Sequence, residues 1–147
     1  MLYHVFMKPE LGISYFQRQI EIARIREGNE IAKTISERLR VNVNFPKTGL
    51  AFNGQLVETP AIIVSYGATE LKQPLGLPPL PPIPGFVLTR EGLFTSPCEV
   101  AKTPESNSSV HVPAIDKLQE ATPEEYLKYG EKALELLELT LEAQLNR

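Results

Sequence analysis

Apolar residues recur every three or four positions over residues 14–39 and again over 123–146. Between those stretches they alternate with polar ones or gather in short blocks broken by proline and glycine. The first pattern is that of amphipathic helices and the second that of strands. In the first helical stretch Ile13, Phe16, Ile20, Ala23, Ile31 and Ile35 share one face at helical spacing. Ser14 and Gln17 have the spacing of a capping box. Glu27 falls on the apolar face and Gly28-Asn29 follows it. Glycine costs about 1 kcal/mol against alanine inside a helix, so a kink or break is expected there. Thr122-Pro123-Glu124-Glu125 opens the last helix with a threonine cap, a proline at the first position and a glutamate at the third.

The intervening blocks predict an antiparallel-leaning sheet. Leu2–Met7 reads as a short strand, and Val41-Asn42-Val43-Asn44-Phe45 alternates as a strand with one wet side does. Asn53-Gly54 between Leu50-Ala51-Phe52 and Gln55-Leu56-Val57 marks a hairpin, because both residues accept the positive φ of a tight turn. Ala61–Tyr66 is apolar enough for an interior strand, and Phe86–Thr89 with Leu93–Thr95 forms a second hairpin around Arg90-Glu91-Gly92. Residues 73–85 carry Pro74, Pro78, Pro79, Pro81, Pro82 and Pro84. Proline fixes φ and donates no hydrogen bond, so this stretch is expected to be a stiff extended arm. Its Pro78-Pro79-Leu80-Pro81 has PxxP spacing but no flanking basic residue, which favours packing on its own body or a neighbouring subunit. Residues 96–121, with Pro97, Pro104, Pro113 and Ser106-Asn107-Ser108-Ser109, read as an irregular surface segment, and residues 122–146 as the C-terminal helix. Together these predict a single domain over 1–147. Its class is α+β: two layers, a mixed or mainly antiparallel sheet with a long helix near each end, plus the proline-rich arm.

Composition narrows the chemistry. At 147 residues the chain suits one domain and needs no disulfide or metal to fold. A net charge of −3 gives no bulk attraction to nucleic acid or anionic membrane. One cysteine, no basic leader and no apolar run of membrane-spanning length point to the cytoplasm. The chain has two histidines (His4 and His111), one cysteine (Cys98) and one aspartate (Asp116) against seventeen glutamates. A Ser-His-Asp set or a metal cluster therefore has few residues to draw on, and glycine-rich phosphate loops are missing. No catalytic residue, metal or cofactor is assigned.

The last helix carries more apolar surface than one core needs. Tyr126, Leu127, Ala133, Leu134, Leu137, Leu141 and Leu145 make one face, and Tyr129, Leu136, Leu139 and Ala143 widen it. That excess predicts a homo-oligomer, a dimer in the simplest case, with Tyr129, Leu136, Leu139 and Ala143 at the interface. On the first helix Arg18, Arg26, Lys33 and Arg40 form a basic stripe around Tyr15 and Ile22. On the last, Glu131, Glu135, Glu138 and Glu142 form an acidic one, suited to set register between copies. The expected function is a non-enzymatic, self-associating interaction protein (an accessory, inhibitor or assembly factor) that binds an unidentified protein. A small-molecule pocket or small enzyme using Tyr66, Arg90, Cys98 and His111 is the alternative, and nucleic-acid binding through the basic stripe is a third reading.

Overall fold

The first helix, α1 (Pro9–Arg38), runs unbroken to its end. The computed structural model describes residues 9–67, 75–78, 83–105 and 108–146. The strand expected over Leu2–Met7, His4, and Pro74, Pro79, Pro81 and Pro82 of the proline-rich stretch lie outside them. Ser14 is thus interior to the helix rather than its cap, and no break interrupts the helix at Gly28. The reason for a glycine there is packing. A methyl group on Gly28 would fall inside the backbone carbonyl of Pro123, the first residue of α2 (Pro123–Leu145). Gly130 of α2 likewise gives way to the Ile31 side chain. Small residues on both helices let the two backbones approach.

The helices run in the same direction: Arg24 pairs with Glu124 at 3.0 Å, and further along Arg38 pairs with Glu138 at 2.5 and 2.9 Å. The N-terminus of α2 is closed as its sequence requires, with Thr122 accepting from Glu125 N–H and the Glu125 carboxylate accepting from Thr122 N–H.

Eight strands form two sheets of four. In the antiparallel sheet, β3 (Ile62–Ser65), β4 (Gly85–Thr89), β5 (Gly92–Ser96) and β8 (Gln119–Glu120) lie in that order. One face takes the helices: Ile62, Val64, Phe86, Leu88 and Leu93 pack with Ile35, Leu39, Val43, Ala133, Leu137 and Leu141. The other face takes the second sheet, where Val87 and Ala61 meet Leu50. Strand β4 is therefore buried throughout. The α+β class with a helix near each end holds, and the second sheet adds a layer to the two expected.

That second sheet is mixed, in the order β1 (Lys47–Phe52), β2 (Gln55–Pro60), β6 (Cys98–Lys102), β7 (Ser109–Pro113). Asn53 and Gly54 make the β1–β2 turn with φ of 51° and 77°, as their sequence predicts. A bridge from Ala51 to Ala114, the residue after β7, brings the last strand back against the first. The sheet thus curls toward a narrow barrel, and the side chains packed within it are small: Ala51, Ala101 and Val112, with Leu56 beside them.

Two expectations are corrected here. Residues 96–121 are not an irregular surface segment, since they hold β6, β7, a 3₁₀ turn (Ile115–Lys117) and β8. Pro97 and Pro113 stand at strand ends, where the missing N–H is tolerated. The run Val41–Phe45 is not a strand. Val43 is buried between exposed Asn42 and Asn44, but Val41 is exposed as well, and the segment's backbone is met by a side chain. The Gln144 amide donates to the Asn42 carbonyl (2.9 Å) and accepts from Asn44 N–H (2.8 Å).

Candidate functional site

The ion pair between Arg24 and Glu124 marks where α2 begins. Before that point α1 projects past its partner helix, and at 1.5 Å per residue the projecting stretch 9–23 is about 22 Å long. Every described side chain from Ile13 to Glu27 is exposed, while Gly28, at the crossing, is buried. The exposed residues are not those of a solvated helix. Ile13, Phe16 and Ile20 are 59, 67 and 60% exposed, and Tyr15, Ile22 and Ile25 are 41–53% exposed.

These side chains make two stripes. At helical spacing Ile13, Phe16 and Ile20 lie on the face that further along carries Ile31 and Ile35. There the stripe packs into the main core with α2, whereas in the overhang no described residue covers it. Tyr15 and Ile22 lie on the opposite side, among Arg18, Arg26 and Lys33. A helix of this length with three isoleucines would be marginal by itself, because isoleucine is a middling helix former and nucleation is costly.

The basic stripe is placed as its spacing implies, with Arg18, Arg26 and Lys33 exposed along α1 and Arg40 exposed in the turn that follows. Among the described residues the arginines in ion pairs are Arg24 and Arg38, which lie off that stripe. Glu138 of the acidic stripe is held by Arg38 of its own chain, and the contact raises the guanidinium's pKa through the hydrogen bond first and charge second. Glu131, Glu135 and Glu142 remain exposed.

The four residues expected at an oligomer interface divide. Tyr129 is used internally, stacked on Phe86 with ring centroids 4.0 Å apart. Leu136 is half-buried against the same core. Leu139 and Ala143 are exposed and, with Leu136, line a cleft of about 410 Å³ against Phe45, Pro46 and Ile62. The excess apolar surface assigned to the last helix is thus mostly consumed by the chain itself, and the larger uncovered share lies on the first.

Of Tyr66, Arg90, Cys98 and His111, the structure brings Cys98 and Tyr66 together and sets Arg90 apart from them. Cys98 is buried, and its thiol donates to the Tyr66 carbonyl. Arg90 stands at the opposite end of the β4–β5 hairpin, 5.8 Å from the Phe45 ring centroid, donating to the Val43 carbonyl at 2.8 Å. It lines a separate cleft of about 760 Å³ with Phe45, Phe94, Ile115 and Leu118. His111 is exposed on β7 opposite Val100, itself half exposed. Among the described residues no three His, Cys, Asp or Glu side chains are grouped to hold a metal ion.

Burial pushes the Cys98 thiol above its ordinary value, and a hydrogen bond from Gly85 N–H offsets only part of that. A raised thiol is protonated at neutral pH and a poor nucleophile. Alkylation of the folded chain at pH 7 is expected at least about tenfold slower than that of free cysteine. Equal rates in native and denaturing buffer would contradict this. The linkage has one sign: the unfolded chain releases the thiol proton first, so this contribution to stability falls as pH rises from the ordinary thiol value through the raised one.

What fold and surface define is an α+β protein of two stacked sheets and a parallel helix pair, one helix of which projects with an apolar coat. Comparison of the chain with protein-family models, with curated proteins and with solved structures returns no match. No helix among the described residues is long and apolar enough to cross a membrane.

Proposed function

We propose that this chain is a non-enzymatic, self-associating interaction protein of the cytoplasm. Its docking element is the projecting first half of α1. One observation carries the reading: about four turns of helix stand off the body with Ile13, Phe16 and Ile20 each more than half exposed. A contiguous apolar surface of that kind on a soluble chain marks a place where another macromolecule sits. The buried, proton-holding Cys98 and the separation of Arg90 from Cys98 favour binding over catalysis. A single thiol kept by burial suits a reducing compartment. The basic stripe gives the docked assembly an outward face of Tyr15, Arg18, Ile22 and Arg26, fitted to the acidic surface of a protein partner.

The test is site-specific photocross-linking of the full chain inside the producing cell. A benzophenone amino acid at position 16 is expected to give a discrete adduct, and one at the exposed Glu58 position is expected to give none. No adduct at position 16, or the same diffuse ladder at both positions, would overturn the proposal.

A further inference from the structure

We infer that the occupant of the α1 overhang is the overhang of a second copy of this chain, paired antiparallel about Phe16. The inference rests on the reading of α1 as a docking helix and names its partner. Three observations lead to it.

First, the uncovered stripe is self-complementary. Ile13 and Ile20 flank Phe16 at nearly equal distances, three and four residues away. An antiparallel partner centred near Phe16 therefore places Ile13 of each copy against Ile20 of the other and brings the two Phe16 rings together. This is the isologous contact of a two-fold dimer. Second, the stripe continues the surface that Ile31 and Ile35 already present to the core shared with α2. The overhang thus offers another helix the seat that α2 fills further along. Third, direction is settled by bulk. A parallel pair would bring the two folded bodies to the same end of the paired segment, one Arg24–Glu124 junction against the other. An antiparallel pair avoids this. The folded bodies then lie at opposite ends of the paired segment, each beyond its own Arg24–Glu124 junction.

Four helical turns on each side bury on the order of 1,000 Å², the lower limit for a specific interface, so the association is concentration-dependent. Tyr15 and Ile22, on the far side of the helix, stay outside the pair.

Cysteine cross-linking of the full chain tests both partner and direction. In a Cys98→Ser background, Phe16→Cys is expected to oxidise rapidly to a disulfide-linked homodimer, while Glu58→Cys remains monomeric. Mixed Ile13→Cys and Ile20→Cys chains are expected to join to each other at least about fivefold more than either joins to itself. Preferential Ile13–Ile13 linkage would overturn the antiparallel arrangement, and Phe16→Cys oxidising no faster than Glu58→Cys would overturn self-pairing. The mass of the photoadduct at position 16 separates this inference from the reading beneath it. Twice the chain's mass is expected. A discrete adduct of another mass would refute the second copy and leave the docking helix standing, whereas no adduct would remove both.

Discussion

Replacing Gly28 by alanine is expected to destabilise the folded chain by about 3 kcal/mol, although the same change stabilises most helices by up to about 1 kcal/mol. The sign reverses because of what lies next to the residue. A Cβ at position 28 would overlap the backbone carbonyl of Pro123, and backbone cannot rotate aside as a side chain does. The helices must move apart, and that opens the core where Ile35, Ala133 and Leu137 meet. Gly12, also in α1, serves as the control. No atom lies within 4 Å of a Cβ there, so Gly12→Ala is expected to be neutral or slightly stabilising. Urea denaturation of the two variants checks the contrast. Equal midpoints would mean that the helices do not cross at Gly28.

The second large effect concerns assembly. Phe16→Glu with Ile20→Glu is expected to abolish self-association, weakening it at least a hundredfold and leaving the isolated subunit's stability within about 0.5 kcal/mol of the parent. Both side chains are largely exposed in the subunit, so the packing of the described residues does not depend on them. Glutamate is also the better helix former, so the overhang keeps its helix. In the pair, by contrast, four carboxylates would replace the apolar centre, and burying unpaired charge costs several kcal/mol. Sedimentation velocity reads association, and a denaturation curve at low protein concentration reads stability. Loss of both together would show that Phe16 and Ile20 hold the subunit's own core.

Much of this architecture is legible in the residues. Asn53-Gly54 takes the positive-φ turn that its chemistry requires. Thr122 and Glu125 form their capping box, and the hairpin around Arg90-Glu91-Gly92 is present in register. Where sequence fails, the cause is long-range. Gly28 reads as a helix breaker because the carbonyl of Pro123, far along the chain, leaves no local trace. Val41–Phe45 has the apolar–polar alternation of a strand, yet Asn42 and Asn44 meet the side chain of Gln144 instead of a neighbouring strand. The strands at Cys98–Lys102 and Ser109–Pro113 are masked by prolines at their ends and the polar cluster between them. The alternation in Val110-His111-Val112 was the available signal.

The same limit governs the candidate surface. Periodicity shows that both helices carry wide apolar coats, but not which coat the rest of the chain covers. On α2, Tyr129 finds Phe86 and Leu136 finds the core, which leaves Leu139 and Ala143 at a cleft. On α1 the coat outruns its partner helix. The length by which one helix overshoots another is a property of the assembled fold, fixed by where Arg24 meets Glu124. No window of sequence contains it.

Amide hydrogen exchange over residues 12–27, followed as the protein concentration is raised, tests the docking helix most directly. If the overhang pairs with a second copy, its amides exchange quickly in dilute solution and become protected as concentration increases, while β4 and β5 stay equally protected throughout. Exchange in the overhang that remains fast at every concentration, from a species of constant single-chain mass, would contradict it.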